Sequence, residues 1–310
     1  MKSIMYHYIE KFNPKLKYFS YLDVKNFEKQ VSYFKRKYEF FDCNELFNKN
    51  FEKKNFSKKI FLTFDDGLMC HYKYAFKILK KYKINAIFYI PSSPILEKKI
   101  LPVHKIHLIL GKYGGEKAYN YLKSIVLEKN FLDEDKIKYF ENKLYVNQKN
   151  NKKTFFFKKI LNYYIDEKKK TKIVDKIFRH FFKNQETYYF DKLYMKKKHI
   201  KSLIDNNMVI GAHSHSHRVL SNLNANDYKK DILLSLKFLK SFDDKKTFSY
   251  PYGGFHTFNK KIQKFMEKKK VSFSVNVEPR DIVYNDLLYR KQALPRYDCN
   301  KFLYGKIAKV

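Results

Sequence analysis

Apolar and polar positions along the chain alternate between two periods. Ser3–Ile9 is a short strand-like run. After it, Asp23 can cap a helix in which Phe27, Val31 and Phe34 recur at i, i+4 and i+7. Lys58–Phe64 (KKIFLTF) reads as a buried strand ending in Asp65-Asp66-Gly67. Tyr72–Lys83 follows as an amphipathic helix with Ala75, Phe76 and Leu79 on one face, and Ile84–Ile90 (INAIFYI) is the next buried strand. Strand, helix, strand at this spacing is a βαβ unit and implies a parallel sheet.

The pattern changes between about Pro94 and Lys196. Lys- and aromatic-rich segments such as Lys136–Tyr145 and Thr154–Tyr164 have helical spacing with no clear strand between them. Alternation then resumes: helix Lys197–Asn206, strand Met208–Ala212, helix Ala225–Phe242 begun by Asn224 or Asn226, strand Phe248–Tyr250, helix Asn259–Lys270 and strand Val271–Val277. The expected fold is α/β, one domain over residues 1–310 interrupted by a helical insertion at about 95–196. Chemistry is expected at the carboxyl ends of the strands.

Composition narrows the function classes. The 310 residues are 44% hydrophobic and 18% aromatic, enough for a core and against wholesale disorder. Three cysteines without CxxC spacing exclude a disulfide framework and a thiolate zinc finger. The net charge of +35 invites a nucleic-acid reading, because a basic surface releases counterions from phosphates. However, the basic residues are 60 Lys and only 6 Arg, and phosphate and base recognition favours the guanidinium. Lys, Asn, Ile, Tyr and Phe are together the residues of AT-rich codons, so no nucleic-acid partner is expected. An anionic substrate or peripheral contact with an anionic membrane remains compatible with the charge. Met1–Tyr8 lacks the apolar stretch of a signal peptide and no run approaches 18 apolar residues, so the expectation is a cytoplasmic protein.

Three strand ends carry candidate chemistry. In Thr63-Phe64-Asp65-Asp66-Gly67, adjacent carboxylates diverge, so one can bind a metal while the other faces a reacting water. In Gly211-Ala212-His213-Ser214-His215-Ser216-His217, three histidines follow an apolar strand. His213 and His217 can converge on one metal if the chain turns helically there, and imidazole suits zinc. Two His and one Asp leave open positions, the arrangement of a catalytic site. In Phe248-Ser249-Tyr250-Pro251-Tyr252-Gly253-Gly254, a turn offers backbone N–H groups to an oxyanion.

Together and in this order, the three resemble the polysaccharide deacetylase family, the NodB-homology domain of carbohydrate esterase family 4. The resemblance covers about residues 58–94 and 197–300 plus the opening strand. It implies a distorted (β/α)7-type barrel and metal-dependent removal of an acetyl group from an N-acetylated sugar. It further implies Asp65 as general base, Asp66, His213 and His217 as ligands of one divalent ion, Zn²⁺, and the Tyr252 N–H as oxyanion donor.

The chain departs from the family pattern in three places. Ser249 stands where the third motif has Arg, no Trp is present, and Leu294-Pro295-Arg296-Tyr297-Asp298 lacks the Leu-x-His acid. Arg296 is expected to take over the lost Arg beside Asp65, or to bind an anionic part of the substrate. His7, after the first strand, is the candidate acid, while His215 is expected to point elsewhere and His256 lies beside the Pro-Tyr-Gly turn. The function expected is an N-deacetylase of a sugar or glycan intermediate, nucleotide- or lipid-linked, in surface-polysaccharide biosynthesis. The competing readings are a catalytically inactive metal-containing glycan-binding module, a basic nucleic-acid binder, and a two-His-one-carboxylate iron oxygenase whose jelly roll conflicts with the βα alternation.

Overall fold

The computed structural model describes residues 1–48, 56–141, 144 and 151–307. Residues 142, 143 and 145 of the expected helical segment 136–145 lie outside them. Seven parallel strands form the main sheet: β1 (Lys2–Tyr6), β2 (Lys59–Phe64), β3 (Ile87–Ile90), β4 (Val209–Ala212), β5 (Thr247–Ser249), β6 (Phe273–Val275) and β7 (Tyr297–Asp298). Their order is β7-β1-β2-β3-β4-β5-β6, with the two-residue strand Glu39–Phe40 pairing beside the start of β2. Leu294 bridges Val275 while Tyr297 pairs with Ile4, so one short segment joins the two outer strands of this curled sheet. This is the distorted (β/α)7-type fold.

Alternate residues of each strand enter two different cores, as the two-residue strand period requires. Phe61, Ile87, Tyr89, Val209, Phe273 and Val275 pack together on one face. Ile60, Leu62, Phe64, Phe88, Ile90, Ile210 and Phe248 face the other way, onto Phe27, Val31, Phe34, Leu79, Leu203 and Ile232 of the helices. Burial on both faces is why these strands read as continuous apolar runs.

The helices start where capping residues stand. Asp23 accepts from Lys25 N at the start of helix Val24–Lys37, and Asn224, not Asn226, caps helix Ala225–Lys240. The expected helix Tyr72–Lys83 instead opens with a π-turn over His71–Ala75, continues as Phe76–Tyr82 and ends at Lys83 in left-handed backbone. The strand after it begins only at Ile87, because Ile84 N–H still bonds back to Leu79 O. The apolar run Ser3–Ile9 divides at Tyr6, and Ile9–Glu10 pairs separately with Leu22–Asp23. Helix Tyr284–Tyr289 and the two-residue β7 are too short for periodicity to reveal.

Two compact units result. The first, within the described residues, holds Met1–Lys11, Tyr21–Glu97 and the chain from Lys192 onward, and thus the sheet. The second, within the described residues, holds Phe12–Ser20 and Lys98–Asp191. Its helices include Pro102–Ile125, Lys152–Lys159 and Glu167–Phe182, with Ile106, Ile109, Phe157, Leu161, Phe178 and Phe182 buried. A Cβ at Gly115 would lie 2.0 Å from Thr154 Oγ1, so only glycine allows these helices to approach. The buried Lys105 ammonium is held by Asp175 at 2.6 Å and Glu186 at 2.7 Å, above the Phe178 ring. Among the described residues no helix is long and apolar enough to cross a membrane.

Candidate metal centre and its neighbours

At the end of β2 the chain turns through Asp66 and Gly67, both at positive φ (80° and 60°). This sends the two carboxylates apart. Asp66, buried, meets His213 Nε2 at 3.4 Å and His217 Nε2 at 3.3 Å, both on Oδ1. One ligand atom from each of the three residues lies within 4.8 Å of the others. The two histidines converge through left-handed backbone at Ser214 (φ 61°) and His217 (φ 53°), not through the helical turn expected from their spacing. The His217 N–H donates to Ser214 Oγ at 2.8 Å across this loop.

The proton positions follow from the partners. His213 Nδ1 lies 2.8 Å from Ser249 O, and a carbonyl only accepts, so Nδ1 carries a hydrogen and Nε2 is the atom turned to Asp66. A lone pair and a carboxylate 3.4 Å apart in a buried site repel unless a cation, proton or metal, lies between them. Burial alone would lower the His213 pKa, but the Asp65 and Asp66 carboxylates leave it raised. The donor set, its burial and the oriented imidazole all fit a divalent metal ion.

Asp65 enters a different network, centred on Arg296. The fully buried guanidinium uses all five of its N–H donors. Nη1 donates to Asp65 Oδ1 at 2.8 Å and Thr63 Oγ1 at 3.0 Å. Nη2 donates to Asp65 Oδ2 at 2.8 Å and Ser249 Oγ at 2.9 Å, and Nε donates to Asn276 O at 3.1 Å. Ser249 Oγ–H in turn donates to Asp65 Oδ2 at 3.1 Å. Burial would raise the Asp65 pKa, yet Arg296 and the nearby His213 bring it down to about 2. Ser249, singled out in the sequence only as a departure, thus joins Asp65 and Arg296.

The remaining sequence candidates fall around this pair. His7 follows β1, where Tyr6 pairs with Phe64 and accepts from Asp65 N at 3.0 Å, so His7 stands beside Asp65 at the strand ends. His71 Nε2–H donates to His7 O at 2.7 Å, and burial pushes the His71 pKa down to about 4 and keeps it neutral. His71 stands one residue before the expected helix Tyr72–Lys83, where no motif marks it in the sequence. Tyr252 takes φ 62° in the turn after β5, with its ring 5.0 Å from that of His217. His215 turns away from the ligands to Ser92 Oγ and Glu97 Oε1, each at 2.8 Å. His256 packs against Gly254 in the same turn as Tyr252.

The sequence matches the family model described as polysaccharide deacetylase over residues 52–103 and 144–273. No curated protein sequence matches the chain. Among solved structures, the Streptococcus pyogenes deacetylase PplD, in complex with acetate, is similar at 13% identity and a TM-score of 0.57, over 96% of this chain and 91% of that one. IcaB from Ammonifex degensii is similar at 12% identity and 0.52, over 96% and 90%. A de-N-acetylase from Aggregatibacter actinomycetemcomitans is similar at 11% and 0.51, over 96% and 93%.

Proposed function

Given that the chain belongs to the polysaccharide deacetylase family, we propose that it is a metal-dependent N-deacetylase of an N-acetylated sugar or glycan intermediate. One observation carries the reading: a buried Asp66–His213–His217 cluster lies directly beside a carboxylate, Asp65, that Arg296 and Ser249 hold in place. Asp66, His213 and His217 would hold the ion, which when bound polarises the acetyl carbonyl and acidifies water.

The other steps belong to the chain itself. Asp65, kept ionised by Arg296, is the acceptor for the proton of the attacking water. Its low pKa makes it a weak base, so it works by position more than by proton affinity. The Tyr252 backbone N–H, at the turn beside His217, donates to the carbonyl oxygen as charge grows there. His7 delivers a proton to the leaving amine. The wall of β-strand ends around Arg296 keeps bulk water from Asp65, which strengthens each of these interactions.

The basic composition is compatible with an anionic substrate, and we take that substrate to be a nucleotide- or lipid-linked sugar of surface-polysaccharide synthesis. The experiment is acetate release from a panel of nucleotide-linked N-acetyl sugars and short N-acetylated oligosaccharides, with and without added zinc. Zinc-dependent release from at least one member is expected. No release from any member by zinc-loaded protein would favour a binding module that retains only the metal.

A further inference from the structure

The loop that carries both histidines is strained but held in one shape. Ser214 and His217 are left-handed without being glycine, a backbone that persists only where its surroundings enforce it. Between them, His215 and Ser216 turn their N–H groups onto a single carboxylate. Asp231, 2% exposed on helix Ala225–Lys240, accepts from His215 N at 2.8 Å through Oδ1 and from Ser216 N at 3.2 Å through Oδ2. The Ser216 hydroxyl also donates to Oδ2. Arg218 lies 3.8 Å from the same oxygen and donates from Nε to Ser216 Oγ.

A buried carboxylate is costly unless its oxygens are used, and here the loop's own donors use them. The opposite side of the loop is held as well: Ser92 N–H donates to Ser214 O at 3.2 Å and Ser93 N–H to His215 O at 3.0 Å. The helix that supplies Asp231 buries Tyr228, Ile232 and Ser235 on the same face, so an acidic residue there is out of place for packing alone. Asp231 therefore holds two of the three residues that separate His213 from His217.

We propose that Asp231 is a positioning residue for the metal ligands, fixing the His213–His217 loop in the shape that lets both imidazoles reach one cation. The proposal rests on the metal reading above and adds to it a residue outside the ligand set.

The test is a zinc titration against a chromophoric chelator, using wild type, Asp231→Asn, Asp231→Glu and Ser216→Ala, each checked for folding by circular dichroism. Asn keeps the volume but turns one acceptor into an N–H donor facing the loop donors. Asp231→Asn should bind zinc about 10–100-fold more weakly, the scale for groups that orient metal ligands. Asp231→Glu should recover part of this, and Ser216→Ala should lose less in the same direction. The visible spectrum of the cobalt-substituted protein should change in Asp231→Asn, because ligand geometry shifts with the loop. Wild-type affinity and an unchanged cobalt spectrum in folded Asp231→Asn and Ser216→Ala would overturn the proposal and leave the metal reading standing. If Asp231→Asn does not fold, Ser216→Ala decides by the same criterion. Failure of the wild type to bind zinc would overturn both.

Discussion

Replacing Arg296 by Met removes the ion pair that holds Asp65, the proposed base. The substitution keeps an apolar stem as far as the Nε position and removes five donors from a site with no exposure to solvent. Asp65 has a pKa of about 2 against an ordinary 3.8, so the native environment favours its charge by roughly 2.5 kcal/mol at about 1.4 kcal/mol per pH unit. Losing one partner of a buried pair costs more, about 3–5 kcal/mol, because the other charge stays buried. The excess is consistent with the hydrogen bonds lost at Thr63, Ser249 and Asn276. The sign of the pH effect follows from the lowered pKa. The contribution of Asp65 to stability is full above about pH 4 and is lost as pH falls toward 2. In Arg296→Met burial remains and the guanidinium does not, so the Asp65 pKa should rise above the ordinary value. Urea unfolding and the pH profile of acetate release check both halves: a loss of about 3–5 kcal/mol at pH 7, and an acid limb displaced to higher pH. A variant that unfolds at the wild-type urea concentration, or one that keeps the wild-type pH profile, would refute the reasoning.

The other expectations concern the same mouth. His213→Ala and His217→Ala should each abolish stoichiometric zinc, read by metal analysis, while urea unfolding of the metal-free proteins changes little, because the two cores on either side of the sheet do not depend on the ion. His7→Ala should slow acetate release by ~10²–10⁴ at neutral pH with zinc still bound, the usual scale for a lost general acid. Unchanged turnover in that variant would leave protonation of the amine to solvent or to Asp65 after it has accepted a proton.

What could be read in the sequence depended on how far each signal reached along the chain. Lys58–Phe64 and Ile84–Ile90 were visible because strands buried on both faces must be apolar throughout, and Asp23 and Asn224 marked helix starts by a local hydrogen bond. The Asp65–Asp66 pair and the spacing of His213 and His217 were equally plain. The shape that unites them was not, since left-handed backbone at Ser214 and His217 has no glycine to announce it. Arg296 could be matched to Asp65 only through the Arg missing at position 249. That Thr63, Ser249 and Asn276 complete its shell depends on which strand ends face one another, as the sheet order determines. Phe12–Ser20 joins the second unit through contacts such as Tyr18 N to Gly111 O, far apart in sequence and unmarked by any local pattern.

In the proposed function a metal ligand, Asp66, and a base, Asp65, stand side by side at the end of β2 with separate tasks. Asp65→Asn tests this most directly, with bound zinc and acetate release measured on the same preparation. Asparagine keeps the shape of the side chain and removes its charge and its capacity to take a proton, while Asp66, His213 and His217 are untouched; because Arg296 then loses its buried partner, both measurements are made on protein shown to be folded by circular dichroism. One zinc per chain with acetate release reduced by ~10²–10⁴ is the predicted result. Wild-type turnover in the zinc-loaded variant, or loss of zinc together with activity, would contradict the division of labour between Asp65 and Asp66.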